Sequence, residues 1–274
     1  METTQKRWSV GGVVGIALVT LLALLCIAPL IYMILMSFTQ LRSLYIDLDK
    51  ITLNLKNYYT IAFKNDFGRS LINSLIVAAL ACLWTNLVCA MAAYGFEKKR
   101  IPGKEVLFKI FLATMMVPSQ VTLIPLFLTM REIGWLNSYA ALVIPMAGAF
   151  GVFMIRQFIK GIDDVFIEAA QIDGCPEFLI FFRVIIPLIQ PALVSLTIFT
   201  FIASWNSFVW PLVVNTENKM YTFTVALSLL NSQHDTNYGL TMAAATVSFA
   251  IPFILYIVMQ KQFVEGIVQG GVKG

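Results

Sequence analysis

Arg156-Gln-Phe-Ile-Lys-Gly-Ile-Asp-Asp-Val-Phe-Ile-Glu-Ala-Ala-Gln-Ile-Asp-Gly-Cys-Pro-Glu177 is a charged interval set between two uncharged runs, residues 138–155 and 184–214. Its punctuation predicts two short helices. Asp163 or Asp164 suits the first N-terminus, because a carboxylate there accepts from free amides and faces the positive end of the helix dipole. Gly174 supplies a left-handed stop, and Pro176 with Glu177 opens the second helix, since proline costs nothing in a first turn. Ala169 and Ala170 are small enough for close approach, and Val165, Phe166, Ile167 and Ile172 surround them with apolar surface. Such a helix either docks into a groove of another protein or lies on lipid. A lipid-bound helix needs a basic face. This loop carries Asp163, Asp164, Glu168, Asp173 and Glu177 against Arg156, Lys160 and Arg183, which favours a protein partner.

Outward from that loop the chain is almost uncharged. Of 274 residues 59% are hydrophobic and 12% charged, with a mean hydropathy of +0.81, against about 45–50% and about 25% in soluble domains. Uncharged runs fall at 9–38, 70–96, 106–130, 138–155, 184–214 and 240–259, broken by Lys109 alone, which can snorkel to the headgroups. These predict an all-α membrane protein with six transmembrane helices, embedded in lipid, with a loop at 156–183 and a C-terminal tail at 260–274. The net charge of +4 is small and its basic residues are dispersed, so a nucleic-acid binder is excluded, as is an ordinary soluble enzyme.

Run 9–38 follows Lys6 and Arg7 but is longer than the roughly 7–15 residues of a cleavable signal core, so it reads as a retained first helix. With the N-terminus inside, Lys6, Arg7, Lys98, Lys99, Arg100, Lys104, Arg156, Lys160, Arg183, Lys261 and Lys273 lie inside. Arg42, Lys50, Lys56, Lys64, Arg69, Arg131 and Lys219 lie outside. The compact Glu97-Lys-Lys-Arg-Ile-Pro-Gly-Lys104 loop carries most of that signal, because short loops dominate orientation. Both termini are therefore expected in the cytoplasm.

Pro29, Pro118, Pro125, Pro187, Pro191 and Pro211 sit within the runs and predict kinks or breaks. Carbonyls freed that way need protein or a water-filled cavity beside them. Apart from Lys109 the runs contain no Asp, Glu, Lys, Arg or His, the groups that ion-coupled transporters keep near the midplane. Their polar residues are neutral: Thr85, Asn86, Ser119, Gln120, and Ser204 and Asn206 flanking Trp205. Amides, hydroxyls and an aromatic face suit a hydroxyl-rich neutral solute. Interhelical hydrogen bonding is the simpler role for any one of them.

Cys26, Cys82, Cys89 and Cys175 form no C-x-x-C pair, and His234 is the single histidine, so no metal site is indicated. No phosphate-binding G-x-x-x-x-G-K-[ST] loop occurs; Gly103-Lys104 is followed by Glu105. Energy for uphill work has to come from another polypeptide, and the chain itself is not expected to be an enzyme.

Glu168-Ala169-Ala170, three residues, Gly174, nine residues, then Val184-x-Ile186-Pro187 resembles the EAA loop of ABC-importer permeases, with Val and Ile where Ile and Leu are usual. Tyr94-Gly95-Phe96, Met116-Val117-Pro118-Ser119-Gln120, Ile124-Pro125-Leu126, Trp205-Asn206, Trp210-Pro211-Leu212 and the ending Gly270-Gly271-Val272-Lys273-Gly274 extend the likeness along nearly the whole chain. The set is similar to the carbohydrate-uptake branch, in particular the six-span second permease of maltose-type systems. That resemblance implies the type I ABC-importer transmembrane fold, alternating access, and a bacterial or archaeal cytoplasmic membrane. It implies as partners a second permease, a dimer of cytoplasmic ATPases that hold Mg-ATP, and an extracytoplasmic solute-binding protein. This chain would bind no cofactor itself.

By position, Glu168, Ala169, Ala170, Asp173 and Gly174 would couple to the ATPase, and Gly270, Gly271 and Lys273 would reach between the ATPases unless the glycine-rich end simply frays. The loop 215–238 would touch the binding protein. Ser119, Gln120, Trp205 and Asn206 are the candidates for the solute path. Polyols and glycerol phosphates are alternative solutes, a pore without Arg or Lys leaning to a neutral sugar. An ion-coupled transporter or facilitator acting alone is the rival class.

Overall fold

The computed structural model describes residues 10–40, 53–64, 66–230 and 237–271, with side chains through 260. The secondary structure there is helical, in fourteen α-helices joined by short 3-10 turns and one π segment. They are α1 Val10–Ser37, α2 Lys56–Phe63, α3 Phe67–Lys98, α4 Lys104–Ala113, α5 Ser119–Glu132, α6 Tyr139–Val143 and α7 Ala149–Lys160, then α8 Val165–Ile172, α9 Glu177–Ile180, α10 Ile186–Leu188, α11 Gln190–Trp205, α12 Val209–Val214, α13 Phe223–Leu230 and α14 Tyr238–Gly271.

Three stretches are each long and apolar enough to cross a membrane: Val14–Ser37 in α1, all of α3, and Tyr238–Gln260 in α14. Three more pass that test only as bent pairs: Lys104–Met116 with Ser119–Glu132 at 101°, Tyr139–Met146 with Ala149–Lys160 at 46°, and Glu177–Leu188 with Gln190–Trp205 at 78°. Counting each pair as one crossing gives six spans.

Several expected boundaries move. Run 106–130 breaks where Val117 is extended ahead of Pro118, whereas Pro125 stays inside α5. Run 138–155 bends at Ala147 and Gly148, after a 3-10 turn that holds Pro145. Run 184–214 is no single span: its helical path begins at Glu177, passes a π segment at Phe181–Ile185 that holds Arg183, turns at Ile189 and stops at Trp205, leaving α12 separate. Pro187 and Pro191 remove two donors on either side of that turn, which is why an unbroken ladder cannot form there. Pro29, by contrast, leaves α1 a single helix. The tail expected from 260 begins as helix, because α14 continues to Gly271. A helix not foreseen, α2, lies between the first two spans.

The described residues divide into two compact units, one of 10–40, 53–64, 230 and 237–247, the other of 66–229 and 248–271. In the first, Asn57 on α2 donates to the Ser37 and Thr39 carbonyls at 2.9 and 2.6 Å, satisfying the C-terminal end of α1. In the second, α3 is the central element. Its buried positions Ala78, Ala81, Ala90 and Ala93 are small, so neighbouring helices approach closely. At Gly151 on α7 an added Cβ would lie 2.6 Å from Cys89 Sγ on α3. One core joins Cys89, Tyr94, Phe108, Ile155, Ile159, Ile167, Ile180, Phe181, Ile185 and Leu196, tying α3, α4, α7, α8, α9 and α11 together. A second joins Val77, Met130, Ala141, Leu142 and Val214.

Candidate functional site: the loop after α7 and the groove beside α5

α8 is a two-turn helix with both ends explained by sequence. Asp163 accepts from the Val165 amide at 3.2 Å through Oδ1. Asp164, the other candidate cap, makes no capping bond; its carboxylate takes the Lys98 ammonium at 2.5 Å. At the C-terminal end Gly174 has φ +73°. Across it the Cys175 amide donates to the Ala170 carbonyl and the Gly174 amide to Gln171, each at 3.0 Å, a paired closure that only a left-handed residue permits cheaply. Pro176 then sets the extended residue before α9.

This closure sorts the α8 side chains into two faces. Ile167 is buried in the core of its own unit, so it is not available for docking as the sequence suggested, and Ala170 packs against that core as well. Glu168, Ala169 and Asp173 are exposed, together with Val165, Phe166 and Ile172, the last at 86%. Large apolar side chains therefore stand free beside a small alanine on one face of α8.

The loop is held by charged contacts that join it to α3 and α4. Arg156, 9% exposed, donates from Nε to Glu97 at 2.8 Å and from a terminal nitrogen to Glu105 at 2.5 Å, with its guanidinium 4.1 Å from the Phe108 ring centre. Lys98 donates to the Ile162 carbonyl at 2.6 Å as well as to Asp164. Glu177 accepts from the Tyr94 hydroxyl and pairs with Lys99. The signal available in the sequence was a basic Lys98-Lys99-Arg100 cluster facing an acidic loop.

The path candidates separate. Ser119 and Gln120 open α5 and line a groove of about 440 Å³ with Thr122, Pro145, Met146, Ser207, Phe208 and Trp210. That is the size range of small-ligand sites, about 300–1,000 Å³, and no charged side chain lines it. Asn206 is exposed one residue before Ser207. Trp205 does not join them: it is 2% exposed, donates its indole N–H to the Ser248 carbonyl at 2.9 Å and stacks on Phe201. Its place is in the packing, a correction that follows from the indole needing a partner when buried. Asn86 likewise serves packing, donating to Cys82 and Thr197. Of the tail candidates, Gly270 and Gly271 fall on the last helical residues of α14, whereas Lys273 lies outside the described residues, as does His234. Among the described residues no three His, Cys, Asp or Glu side chains gather as a metal site would require.

A helical membrane subunit with broken spans around an uncharged groove, and a capped helix presented on a loop, defines a transport component. The comparison with known proteins agrees. Residues 87–268 match the family of binding-protein-dependent transport system inner membrane components, and the chain belongs to that family. It is 34% identical to the arabinooligosaccharides transport system permease protein AraQ of Halalkalibacterium halodurans, over 92% of this chain and 93% of that one. It is 32% identical to the lactose transport system permease protein LacG of Rhizobium radiobacter, over 100% of both. A solved bacterial ABC transporter that imports the acidic polysaccharide alginate superposes with a TM-score of 0.81 at 25% identity, covering 96% of this chain and 100% of its counterpart. The relatives are transport permease subunits rather than enzymes, and the helical architecture is that of an ABC-importer transmembrane subunit.

Proposed function

We propose that this chain is a permease subunit of an ATP-driven importer that carries a neutral sugar or oligosaccharide by alternating access, with ATP hydrolysed on a partner. The observation that carries the reading is α8: a Gly174-closed helix that turns Val165, Phe166, Ala169 and Ile172 outward while Ile167 anchors it to its own core. Glu168, Ala169, Ala170, Asp173 and Gly174 form the coupling element, set in a cleft of a cytoplasmic ATPase that holds Mg-ATP. A second permease completes the pore, a solute-binding protein delivers the cargo from outside, and both termini face the cytoplasm. The C-terminal tail, with Gly270, Gly271 and Lys273, reaches between the ATPases.

The solute class rests on two supports. The named relatives are permeases for arabinooligosaccharides and lactose and the solved neighbour's transporter imports acidic alginate, which together support a carbohydrate. A neutral one is favoured by the groove at Ser119 and Gln120, which offers hydroxyls, an amide and aromatic faces without a charge. A phosphorylated solute would need Arg or Lys there. The bends of 101°, 46° and 78° supply the irregular backbone that a gated path requires at membrane depth.

The test is purification from the native membrane in mild detergent, with each accompanying chain identified by mass spectrometry. A second permease and an ATPase with a phosphate-binding loop are the expected companions, and the co-expressed binding protein is then titrated with sugars. A lone chain that moves solute in liposomes without ATP would overturn the reading.

A further inference from the structure

α3 is hydrogen-bonded to a different loop at each of its ends. Near its start Asn73, 3% exposed, donates through Nδ2 to the carbonyls of Lys219 and Tyr221 at 2.9 and 3.0 Å and accepts the Tyr139 hydroxyl at 2.7 Å. One residue on, the Ser74 hydroxyl accepts the Phe223 amide at 2.8 Å. The segment so held is itself ordered: Asn137 Oδ1 takes the Thr216 and Glu217 amides, and Asn215 donates to the Met220 carbonyl. At the far end Lys98 binds the Ile162 carbonyl and Asp164 just before α8, while Tyr94 and Lys99 bind Glu177 at the start of α9. The loop that presents α8 is therefore gripped on both sides by one helix.

Between these attachments α3 is unbroken. From Asn73 to Lys98 it rises about 38 Å at 1.5 Å per residue. The three bent pairs can absorb a displacement at their hinges, whereas a continuous hydrogen-bonded helix passes it on. We propose that α3 is a strut that transmits displacement between the α8 loop and the 215–223 segment, with Tyr94, Lys98 and Lys99 as positioning residues at one end and Asn73 with Ser74 at the other. This rests on the reading of α8 as the ATPase-docking element. Asp164 is 68% and Glu177 48% exposed, so these pairs add little to stability. Their role is geometric: each fixes where the loop stands relative to the helix. On the proposed orientation the two gripped loops face opposite sides of the membrane, so the strut links the ATPase side to the binding-protein side.

The experiment measures amide hydrogen exchange in the complex purified with its ATPase, with and without Mg-ATP and vanadate. In the wild type, nucleotide trapping is expected to change exchange severalfold both in 165–175 and in 216–223. Lys98→Gln combined with Glu177→Gln should keep the first change and lose the second, with basal ATP turnover intact. The conservative pair Lys98→Arg with Glu177→Asp should keep both. Asn73→Ala combined with Ser74→Ala, which frees the opposite end, should also lose only the change in 216–223. If the released variants respond at 216–223 as the wild type does, or if the wild type responds at 165–175 alone, the strut is wrong while the coupling reading stands. If no ATPase accompanies the chain, the coupling reading fails and the strut falls with it.

Discussion

The Cys175 amide reaches back to the Ala170 carbonyl at 3.0 Å, over a Gly174 held at φ +73°. No neighbouring atom lies within 4 Å of the position a Gly174 Cβ would take, so a side chain there meets backbone strain and no clash. Gly174→Ala is expected to cost about 1 kcal/mol locally, too little to block insertion. It opens the closure of α8 and shifts Ala169 and Ile172. In proteoliposomes with the partner ATPase, ATP turnover should continue while solute uptake per ATP falls; wild-type uptake per ATP would refute the coupling role.

Arg156 joins three helices through Glu97, Glu105 and the Phe108 ring. Arg156→Met removes a cation from a nearly closed site and leaves Glu97 poorly paired. Losing the charged hydrogen bond to the half-enclosed Glu97 costs roughly 1.5–3 kcal/mol, whereas the bond to exposed Glu105 adds little, so the thermal midpoint of the solubilised subunit should drop by several degrees. Arg156→Lys should recover only part of it, since an ammonium cannot span both carboxylates in a planar fork. Adding Glu97→Gln to Arg156→Met should restore stability, because the uncompensated charge is then gone. Thermal unfolding of the three variants decides it.

Much of this was readable in advance where the signal is local. Gly174 marked the end of α8 and Pro176 the start of α9, and uncharged runs located α1 and α3 within a few residues. Pro118 marked a break, but Pro29 did not, since a helix can continue past one missing donor. The bend at Ala147 carried no polar boundary to announce it. What sequence could not pair were the contacts across long separations: Arg156 with Glu97, Lys98 with Asp164, and Tyr94 with Glu177 lie 59, 66 and 83 residues apart. Trp205 misled because its type suits a sugar face, whereas burial and the Ser248 carbonyl had already claimed it.

Gly151 on α7 packs closely against Cys89 on α3. The Cβ of Gly151→Ala would stand 2.6 Å from Cys89 Sγ and 3.3 Å from Leu196. Overpacking of that size costs about 1–3 kcal/mol. The substitution should lower the yield of folded subunit and its thermal midpoint. Cys89→Ala in the same chain vacates the space and should return most of the loss, so the two changes will be strongly non-additive. Additive losses would mean that the two helices do not touch here.

Gln120 lines an open groove, whereas Trp205 is buried in the packing. Gln120 is exposed at the head of α5 in the groove, so Gln120→Ala removes an amide from the proposed path without opening a cavity. Its thermal midpoint should match the wild type, and the concentration of solute needed for half-maximal uptake should rise. Trp205→Ala empties a buried site stacked on Phe201 with the Phe223 ring tilted against it, at a cost of about 3–5 kcal/mol. It should lower the amount of folded subunit while leaving the half-maximal concentration of the surviving complexes unchanged. Uptake curves normalised to folded protein separate the two cases, and a shifted half-maximal concentration in Trp205→Ala would return that residue to the path.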